Sequence, residues 1–291
     1  GRITDEASAL TGLAPGTPVV GGGGDNAASA VGNGIVEPGL VFSSVGTSGV
    51  VFAYADKPVV DPKLRVHTFC HAVPDKWHVM GVVLSAGGSL RWYRDTFGDA
   101  ECAVARHTNR DPYEIIADEA SAVPTGSEGL IFLPYISGER TPHADPYARG
   151  VFFGITLRHT KPYFSRSVLE GVAYALKDSF EIFKEMNIPI TQVRATGGGA
   201  KSDLWRQIQA DVIGMQHVTI NVGEGPSYGA ALLAGVGTGV YKSVQDACRS
   251  TIRLKSATEP NPDDSAVYER YYKVYKSLYQ SLKQDFKDVS G

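Results

Sequence analysis

The chain has 291 residues, enough for one large domain or two smaller ones, and 43% of them are hydrophobic, which is ample for a core. Its formal net charge of -3 provides no overall basic field, so we expect no nucleic-acid partner. The three cysteines are widely spaced without a CxxC pair, which argues against a disulfide framework or structural zinc site and favours a cytoplasmic location. The longest strongly apolar stretch, residues 130–136, is far too short to span a bilayer, so we expect no membrane partner.

The first predicted elements surround a run of four glycines. A turn at Gly16 leads into a short buried strand predicted over residues 18–20, and Gly21–Gly24 then run into Asp25 and Asn26 at the start of a predicted helix. Glycines lack Cβ, so backbone and substrate can approach closely, and a helix N-terminus favours a negative charge. One interpretation is a catalytic carboxylate at Asp25; the other is a glycine-rich turn with Asp25 as an ordinary N-cap.

Four β-prone segments follow, and the Gly, Pro or Asp residues between them predict antiparallel pairing. They cover residues 40–44, 50–54, 67–72 and 77–84. The loop Val45–Gly49 joins the first two and carries successive backbone N–H groups and two hydroxyls that could bind phosphate oxygens. A plain hairpin turn explains the same residues.

The next predicted elements are helices with an irregular segment after them. The glycines within Ser85–Ser89 precede a helix that is predicted to run to Phe97. One interpretation is that their bare backbone lets a flat ligand approach; the other is that they only form the cap of the helix. A second helix is predicted over 112–122. In the irregular region 136–146, Glu139 and Arg140 could approach a substrate or form an ion pair that braces the loop. His143 and Asp145 lack a third ligand at a convincing spacing, so we assign no transition metal.

The last part of the chain alternates strands and helices. After Pro162, apolar residues at three- and four-residue spacing predict a long helix that ends at residues 187–189. A strand at 192–196, glycines 197–199 and a helix at 202–213 then form a unit whose helix N-terminus suits an anionic or nucleotide ligand. It matches neither the GxxxxGK[ST] nor the GxGxxG pattern. A strand near 217–221, a helix of small residues after Pro226 and a Tyr-rich helix over 265–289 complete the chain.

Antiparallel strands followed by alternating strands and helices predict an α/β fold with a mixed sheet flanked by helices. The ordered motifs closely resemble the FGGY family of carbohydrate kinases over nearly the whole chain: GGGGDNAASA, SSVGTSGVVFA, SAGGSLRWYRD, LPYISGERTPHADPYARG, LEGVAYAL, ATGGGAKSDLWRQIQADVIG and EGPSYGAALLAG. Within the family, the stretch GERTPHADPYARG is most similar to the xylulokinase branch. The resemblance implies a ribonuclease H-like, actin-like ATPase fold in two domains, with sugar and MgATP in the cleft between them. It also implies that residues 1–40 are a remnant of the amino-terminal sugar domain carrying the catalytic Asp, and that 41–291 form the nucleotide-binding domain with its terminal helix.

The same resemblance implies a role for each matching residue. Asp25 would be the general base toward the sugar hydroxyl, with Asn26 beside it on the substrate. The nucleotide would contact Gly46 and Thr47 through its phosphates, Gly87 and Arg91 along the cleft, and Gly198, Gly199 and Ser202 at the adenosine. The cofactors are ATP and Mg²⁺, with no protein ligand assigned to the metal.

The implied activity is ATP-dependent phosphorylation of D-xylulose to D-xylulose 5-phosphate. Two alternatives stay open: another FGGY sugar or polyol kinase, such as a ribulokinase or gluconokinase, and a non-catalytic, actin-like nucleotide-binding module. A second copy of this chain, in a homodimer, is the one macromolecular partner that the sequence leaves open.

Overall fold

A seven-stranded mixed sheet forms the centre of the computed structural model, which describes residues 1–290. The strands in chain order are β1 (Gly39–Val45), β2 (Gly49–Ala55), β3 (His67–Cys70), β4 (Trp77–Val83), β5 (Ile131–Leu133), β6 (Val151–Phe153), β7 (Ile190–Gly197), β8 (His217–Ile220) and β9 (Leu254–Thr258). Their spatial order in the large sheet is β3-β4-β2-β1-β7-β8-β9, and β5 pairs with β6 in a separate small sheet.

The large sheet has an antiparallel half and a partly parallel half, as predicted. β1, β2, β4 and β3 pair antiparallel, with Val41 opposite Ala53 and Val45 opposite Gly49 in the first hairpin. β7 and β8 add in parallel beside β1, and β9 closes the edge antiparallel to β8. β9 was not predicted because its residues are mostly exposed and polar and show no alternation of apolar side chains.

The part of the chain that the structure describes contains ten α-helices. They are α1 (Asp5–Thr11), α2 (Asp25–Gly32), α3 (Gly87–Phe97), α4 (Asp99–Thr108), α5 (Pro112–Ser121), α6 (Lys161–Glu185), α7 (Asp203–Ile213), α8 (Gly225–Gly237), α9 (Val244–Thr251) and α10 (Pro262–Asp288). The short helices α1, α4 and α9 were not predicted. None of the helices in residues 1–290 combines the length and the apolar composition that crossing a membrane requires.

The two faces of the sheet carry different cores because side chains alternate along each strand. Val41 and Val45 face the larger core, which contains α6 and the inner face of α10. Phe42 points to the other face, where it stacks on Phe52 with ring centroids 5.0 Å apart beneath α2. The helices α2, α8 and α9 cover that second face.

The two long helices confirm the predictions from periodicity. α6 is buried over most of its length, and its predicted stripe packs on the sheet. Four tyrosines of α10 are buried, and three of them donate hydroxyl hydrogen bonds to buried carboxylates: Tyr268 to Glu170 Oε1 at 3.0 Å, Tyr272 to Asp178 Oδ1 at 2.6 Å and Tyr279 to Asp145 Oδ2 at 2.9 Å. The terminal tyrosines therefore fasten α10 to the domain.

The segment before Asp25 differs from the prediction. The buried strand expected over residues 18–20 is wrong: Pro18 forms only an isolated bridge with Arg2, and Val19 is 49% exposed. Within residues 1–290, no strand of either sheet pairs with this short apolar sequence. By contrast, α2 packs tightly against the body of the molecule.

Candidate active site

Asp25 is the first residue of α2, as the sequence predicts, and its side chain is exposed at the helix N-terminus. Its Oδ1 accepts hydrogen bonds from the Asn26 N–H at 2.7 Å and from Asn26 Nδ2 at 3.2 Å. Within residues 1–290, Oδ2 accepts none. Asn26 therefore orients the carboxylate of Asp25.

Helix α2 is held in place by a crossing with α8 in which backbone touches backbone. A Cβ built on Gly32 would lie 1.9 Å from the Gly225 carbonyl oxygen, and one on Gly229 would lie 1.8 Å from that of Ala28. We call these four residues the α2–α8 crossing. Since no side chain separates the helices there, the position of Asp25 is tied directly to α8.

The hairpin between β1 and β2 forms the second wall. The Gly46 N–H donates to the Ser48 carbonyl at 2.9 Å, which closes the turn. The N–H groups of Thr47 and Ser48 have no acceptor among residues 1–290. Such free, adjacent N–H groups suit the oxygens of a phosphate.

The predicted nucleotide residues Gly87 and Arg91 lie behind this hairpin rather than in the cleft wall. The Gly87 N–H donates to the Gly46 carbonyl at 2.8 Å, and a Cβ on Gly87 would lie 2.4 Å from that oxygen. Gly87 is therefore needed for close contact between α3 and the hairpin. Arg91 is exposed on α3, and its role stays a prediction.

The loop after β7 forms the third wall. Gly198 and Gly199 lie in a single 3-10 turn, and a Cβ on Gly199 would lie 2.6 Å from the Val45 Cβ. Ser202 caps α7 by accepting the Trp205 N–H at 3.3 Å. Backbone next to these positions, at Gly197 and Ala200, lines the cleft, whereas Gly198, Gly199 and Ser202 do not.

These walls enclose a cleft of about 900 Å³. Of the predicted residues it brings together Asp25, Asn26 and Gly46. Thr47 is exposed at the tip of the hairpin, between the lining residues Gly46 and Ser48. The volume lies within the range of small-molecule sites, which are commonly 300–1,000 Å³.

Several lining residues were missed by the sequence analysis. They are Ser29 on α2, Asn33 directly after α2, Asp203 and Arg206 on α7, residues 221–226 before and at the start of α8, and Lys255 and Ser256 on β9. The segment 221–226 could have been found, because it follows the end of a parallel strand, where ligands bind in α/β sheets. Lys255 had no sequence signal because its strand had none.

Charge in the cleft is divided between its walls. Lys201, Arg206 and Lys255 supply positive charge on the side of β7 to β9, while Asp25 lies across from them on α2. Arg206 also forms an ion pair with Asp203. An anionic ligand could therefore lie along the basic wall with its end near Asp25.

His143 and Asp145, in the region 136–146, both contact Tyr279. His143 stacks on Tyr279 with ring centroids 3.4 Å apart, and Asp145 accepts the Tyr279 hydroxyl. Across residues 1–290, no group of three or more His, Cys, Asp or Glu side chains could hold a metal ion.

Residues 41–238 match the model of the C-terminal domain of the FGGY family of carbohydrate kinases. The chain belongs to this family. A xylulose kinase of Staphylococcus epidermidis is 39% identical over 284 residues, which cover 98% of this chain and 55% of the relative. A gluconokinase of Bacillus subtilis is 38% identical over 257 residues, covering 87% of the chain and 50% of the relative.

The solved structures agree with the family and its fold. A ligand-bound xylulose kinase from Lactobacillus acidophilus superposes on this FGGY chain with a TM-score of 0.88 at 28% identity, covering 98% of the chain and 56% of that protein. The mixed sheet flanked by helices is therefore the ribonuclease H-like, actin-like ATPase fold of these kinases. The chain spans about half the length of the curated relatives it matches.

Proposed function

We propose that this FGGY chain supplies the ATP-binding wall and the catalytic carboxylate of a kinase that converts D-xylulose to D-xylulose 5-phosphate. The xylulose kinase relatives and the stretch GERTPHADPYARG support this acceptor. In this proposal residues 1–40 carry Asp25 as part of the sugar-binding domain, and 41–291 form the nucleotide-binding domain.

One observation carries the proposal: the carboxylate of Asp25 and the hairpin with free N–H groups at Thr47 and Ser48 lie on the walls of one cleft. Phosphoryl transfer needs little covalent chemistry from the protein. Its rate depends on aligning the acceptor with the γ-phosphoryl group and on neutralising the charge of that group. A carboxylate opposite a phosphate-binding hairpin meets both needs.

Asp25 accepts the proton of the sugar hydroxyl in this proposal. A carboxylate is a weak base toward an alcohol, so its benefit comes from its position and from proton transfer late in the reaction. Asn26 holds the sugar and keeps Oδ1 of Asp25 oriented.

The nucleotide lies with its β- and γ-phosphates at Gly46 and Thr47 and its adenosine along the loop containing Gly198, Gly199 and Ser202. Gly87 contributes by permitting the close approach to Gly46, and Arg91 is proposed as a nucleotide contact on the resemblance to the family alone. Mg²⁺ usually keeps several waters and is bound through one or two carboxylates and the substrate phosphates. The cleft fits this mode, since its free N–H donors would hold the phosphates that carry the ion, and no protein ligand is assigned to the metal.

The proposal is tested by Asp25→Asn and Asp25→Ala in the whole protein that contains this chain. We expect ADP release with D-xylulose to fall by roughly 10²–10⁴-fold, the usual contribution of general acid–base catalysis, while the Kd for ATP stays within a few-fold. Asn keeps the size of the side chain but cannot accept the proton, so it separates the base from mere packing. Preserved turnover would remove Asp25 from this role.

The 291-residue chain by itself should be severely impaired, because it spans about half of its relatives. Turnover of D-xylulose by the chain alone at the rate of the whole protein would contradict the division of roles between the two domains.

A gluconokinase is the second candidate, because one relative at 38% identity carries that name. Comparing D-xylulose, D-ribulose and gluconate as acceptors for the whole protein distinguishes these kinases. Nucleotide binding with no acceptor-stimulated ADP release would instead indicate a non-catalytic module.

A further inference from the structure

The segment Ser137–Thr141 runs beside the end of β4 and binds it through both backbone and side chains. We call it the brace. The Thr141 N–H donates to the Val82 carbonyl at 3.0 Å, and the Val82 N–H donates to Thr141 Oγ1 at 3.0 Å. Two residues further on, the Leu84 N–H donates to Glu139 Oε1 at 2.9 Å. The brace therefore supplies acceptors where β4 runs out of strand partners.

Glu139 is an unusual residue to find in this place. Its side chain is buried, with 2% of the residue exposed, and it takes part in none of the ion pairs formed within residues 1–290. Oε1 also accepts the Arg140 N–H at 2.7 Å, while Oε2 has no partner among residues 1–290. The expected ion pair with Arg140 is therefore not formed; Glu139 braces the loop through backbone N–H groups instead.

On the other side of Leu84, the start of α3 binds the hairpin. The N–H groups of Ala86 and Gly88 donate to the Thr47 carbonyl at 3.0 and 2.9 Å, and the Gly87 N–H donates to that of Gly46 at 2.8 Å. Three consecutive donors thus hold the backbone of the turn whose own N–H groups at Thr47 and Ser48 are free. One residue, Ser85, separates this clamp from the Leu84 N–H held by Glu139.

We infer that Glu139 is a positioning residue for the phosphate hairpin, acting through Leu84 and the clamp Ala86–Gly88. This inference rests on the proposed function, because it assumes that the hairpin binds the outer phosphates of ATP. Glu139 does not line the cleft and touches no substrate. It fixes the path of the chain between β4 and α3, and it therefore fixes the position of the clamp relative to Gly46 and Thr47.

The inference predicts a selective loss of affinity for the outer phosphates. In the 291-residue chain, Glu139→Ala should raise the Kd for ATP at least tenfold, measured by calorimetry, and the Kd for AMP less than threefold. AMP has the adenosine and one phosphate, so it depends little on the hairpin. Glu139→Gln keeps an acceptor oxygen for the Leu84 N–H and should leave both constants within threefold of the wild type.

Glu101→Ala is the matched control. Glu101 is also a buried carboxylate, but it lies on α4, away from the hairpin. It forms an ion pair with Lys161 Nζ of α6 at 2.5 Å. It should leave the ratio of the two affinities unchanged. Should Glu139→Ala fail to fold, Glu139→Asp serves in its place, because the shorter side chain withdraws its oxygen from Leu84; it should show the same selective loss.

Three results would overturn the inference while leaving the proposed function standing: an unchanged Kd for ATP in both Ala and Asp variants, equal losses for ATP and AMP, or a Gln variant as defective as Ala. A wild-type chain that binds neither nucleotide would refute the proposed binding function, and the inference with it.

Discussion

The two sides of the cleft are held by different physical means. On the side of Asp25, the α2–α8 crossing brings glycine backbones into direct contact, with no space for a single Cβ. On the side of the phosphate hairpin, the brace and the clamp hold the chain through hydrogen bonds to backbone N–H groups. The first side depends on the absence of side chains. The second depends on the side-chain oxygens of the brace, in addition to the bare Gly87 of the clamp.

This difference teaches what each side can tolerate. A steric contact between backbones has no titratable group and is disrupted by any added atom. A hydrogen-bonded brace accepts an isosteric replacement that keeps the acceptor, but it responds to a change in the charge of that acceptor. Substitutions and pH should therefore distinguish the two sides.

The largest effect is expected at the crossing. Gly229→Ala would place a Cβ 1.8 Å from the Ala28 carbonyl oxygen, and neither backbone can rotate away. Helix propensity alone favours alanine by about 1 kcal/mol. The steric cost of the added Cβ should exceed this gain in helix propensity, and we expect the free energy of unfolding to fall by about 3 kcal/mol. Urea denaturation followed by tryptophan fluorescence measures it; a raised midpoint would show that the helices can separate without cost.

The second effect is a pH dependence on the side of the brace. Burial raises the pKa of the Glu139 carboxyl to about 8, with the charge of Asp178 adding to the rise. The Leu84 and Arg140 N–H groups and the Arg140 charge oppose it, but burial dominates. Because the unfolded chain loses this proton near pH 4.3, the folded state binds one proton more between pH 4.3 and 8. Stability from this group therefore falls as pH rises through that window.

Glu139→Gln has no such proton and removes this slope. We compare the free energy of unfolding of the variant with that of the wild type. As pH rises from 6 to 8, we expect this difference to shift in favour of the variant by at most about 2.7 kcal/mol. Groups that do not interact with Glu139 titrate alike in both proteins and cancel in the difference. The neighbouring Asp178, whose pKa burial raises to about 7, is coupled to Glu139 and contributes to the same slope. Parallel stability curves for the two proteins over this range would mean that Glu139 is ionised in the fold.

A smaller loss is expected from Thr141→Val, which keeps the shape of a fully buried side chain. It removes the acceptor of the Val82 N–H and the donor to the Arg65 carbonyl. We expect the free energy of unfolding to fall by about 2 kcal/mol, measured by urea denaturation. Thr108→Val is the control, since that hydroxyl lies at an exposed helix end and its loss should stay within about 0.5 kcal/mol.

The smallest effect is expected from Gly22→Ala, the same change as at the crossing but in the glycine run before Asp25. No atom lies within 4 Å of the added Cβ, and the backbone is not left-handed there. Its stability should stay within about 0.5 kcal/mol of the wild type. A loss comparable to that of Gly229→Ala would show that the run packs against something in solution.

Much of the fold could be predicted because its signals are local. Apolar spacing indicated α6, and the strand, glycines and helix around residue 197 were recognisable from a short stretch of chain. The hairpin at Val45–Gly49 also formed as predicted. Exposed and polar elements escaped prediction: β9 and α4 have no clear apolar face that would distinguish them from loops. The strand over 18–20 failed because a short apolar run needs a partner strand.

The site could be predicted only in part, for a related reason. Asp25, Asn26 and Gly46 line one cleft, and their roles stay predictions. Gly87 and Gly199 instead place their bare Cα atoms against neighbouring chain, at Gly46 and Val45. A glycine in a sequence shows that close approach is possible, but not whether a ligand or another strand makes that approach.

The sequence by itself determined the elements and the family, because helix periodicity, turn chemistry and motif order are written within short stretches of chain. Only the tertiary structure decided which glycines line the cleft, that α2 and α8 touch backbone to backbone, and that Glu139 reaches Leu84 from 55 residues away. These contacts join distant parts of the chain. They depend on how the sheet and helices pack together, and no local pattern encodes that geometry.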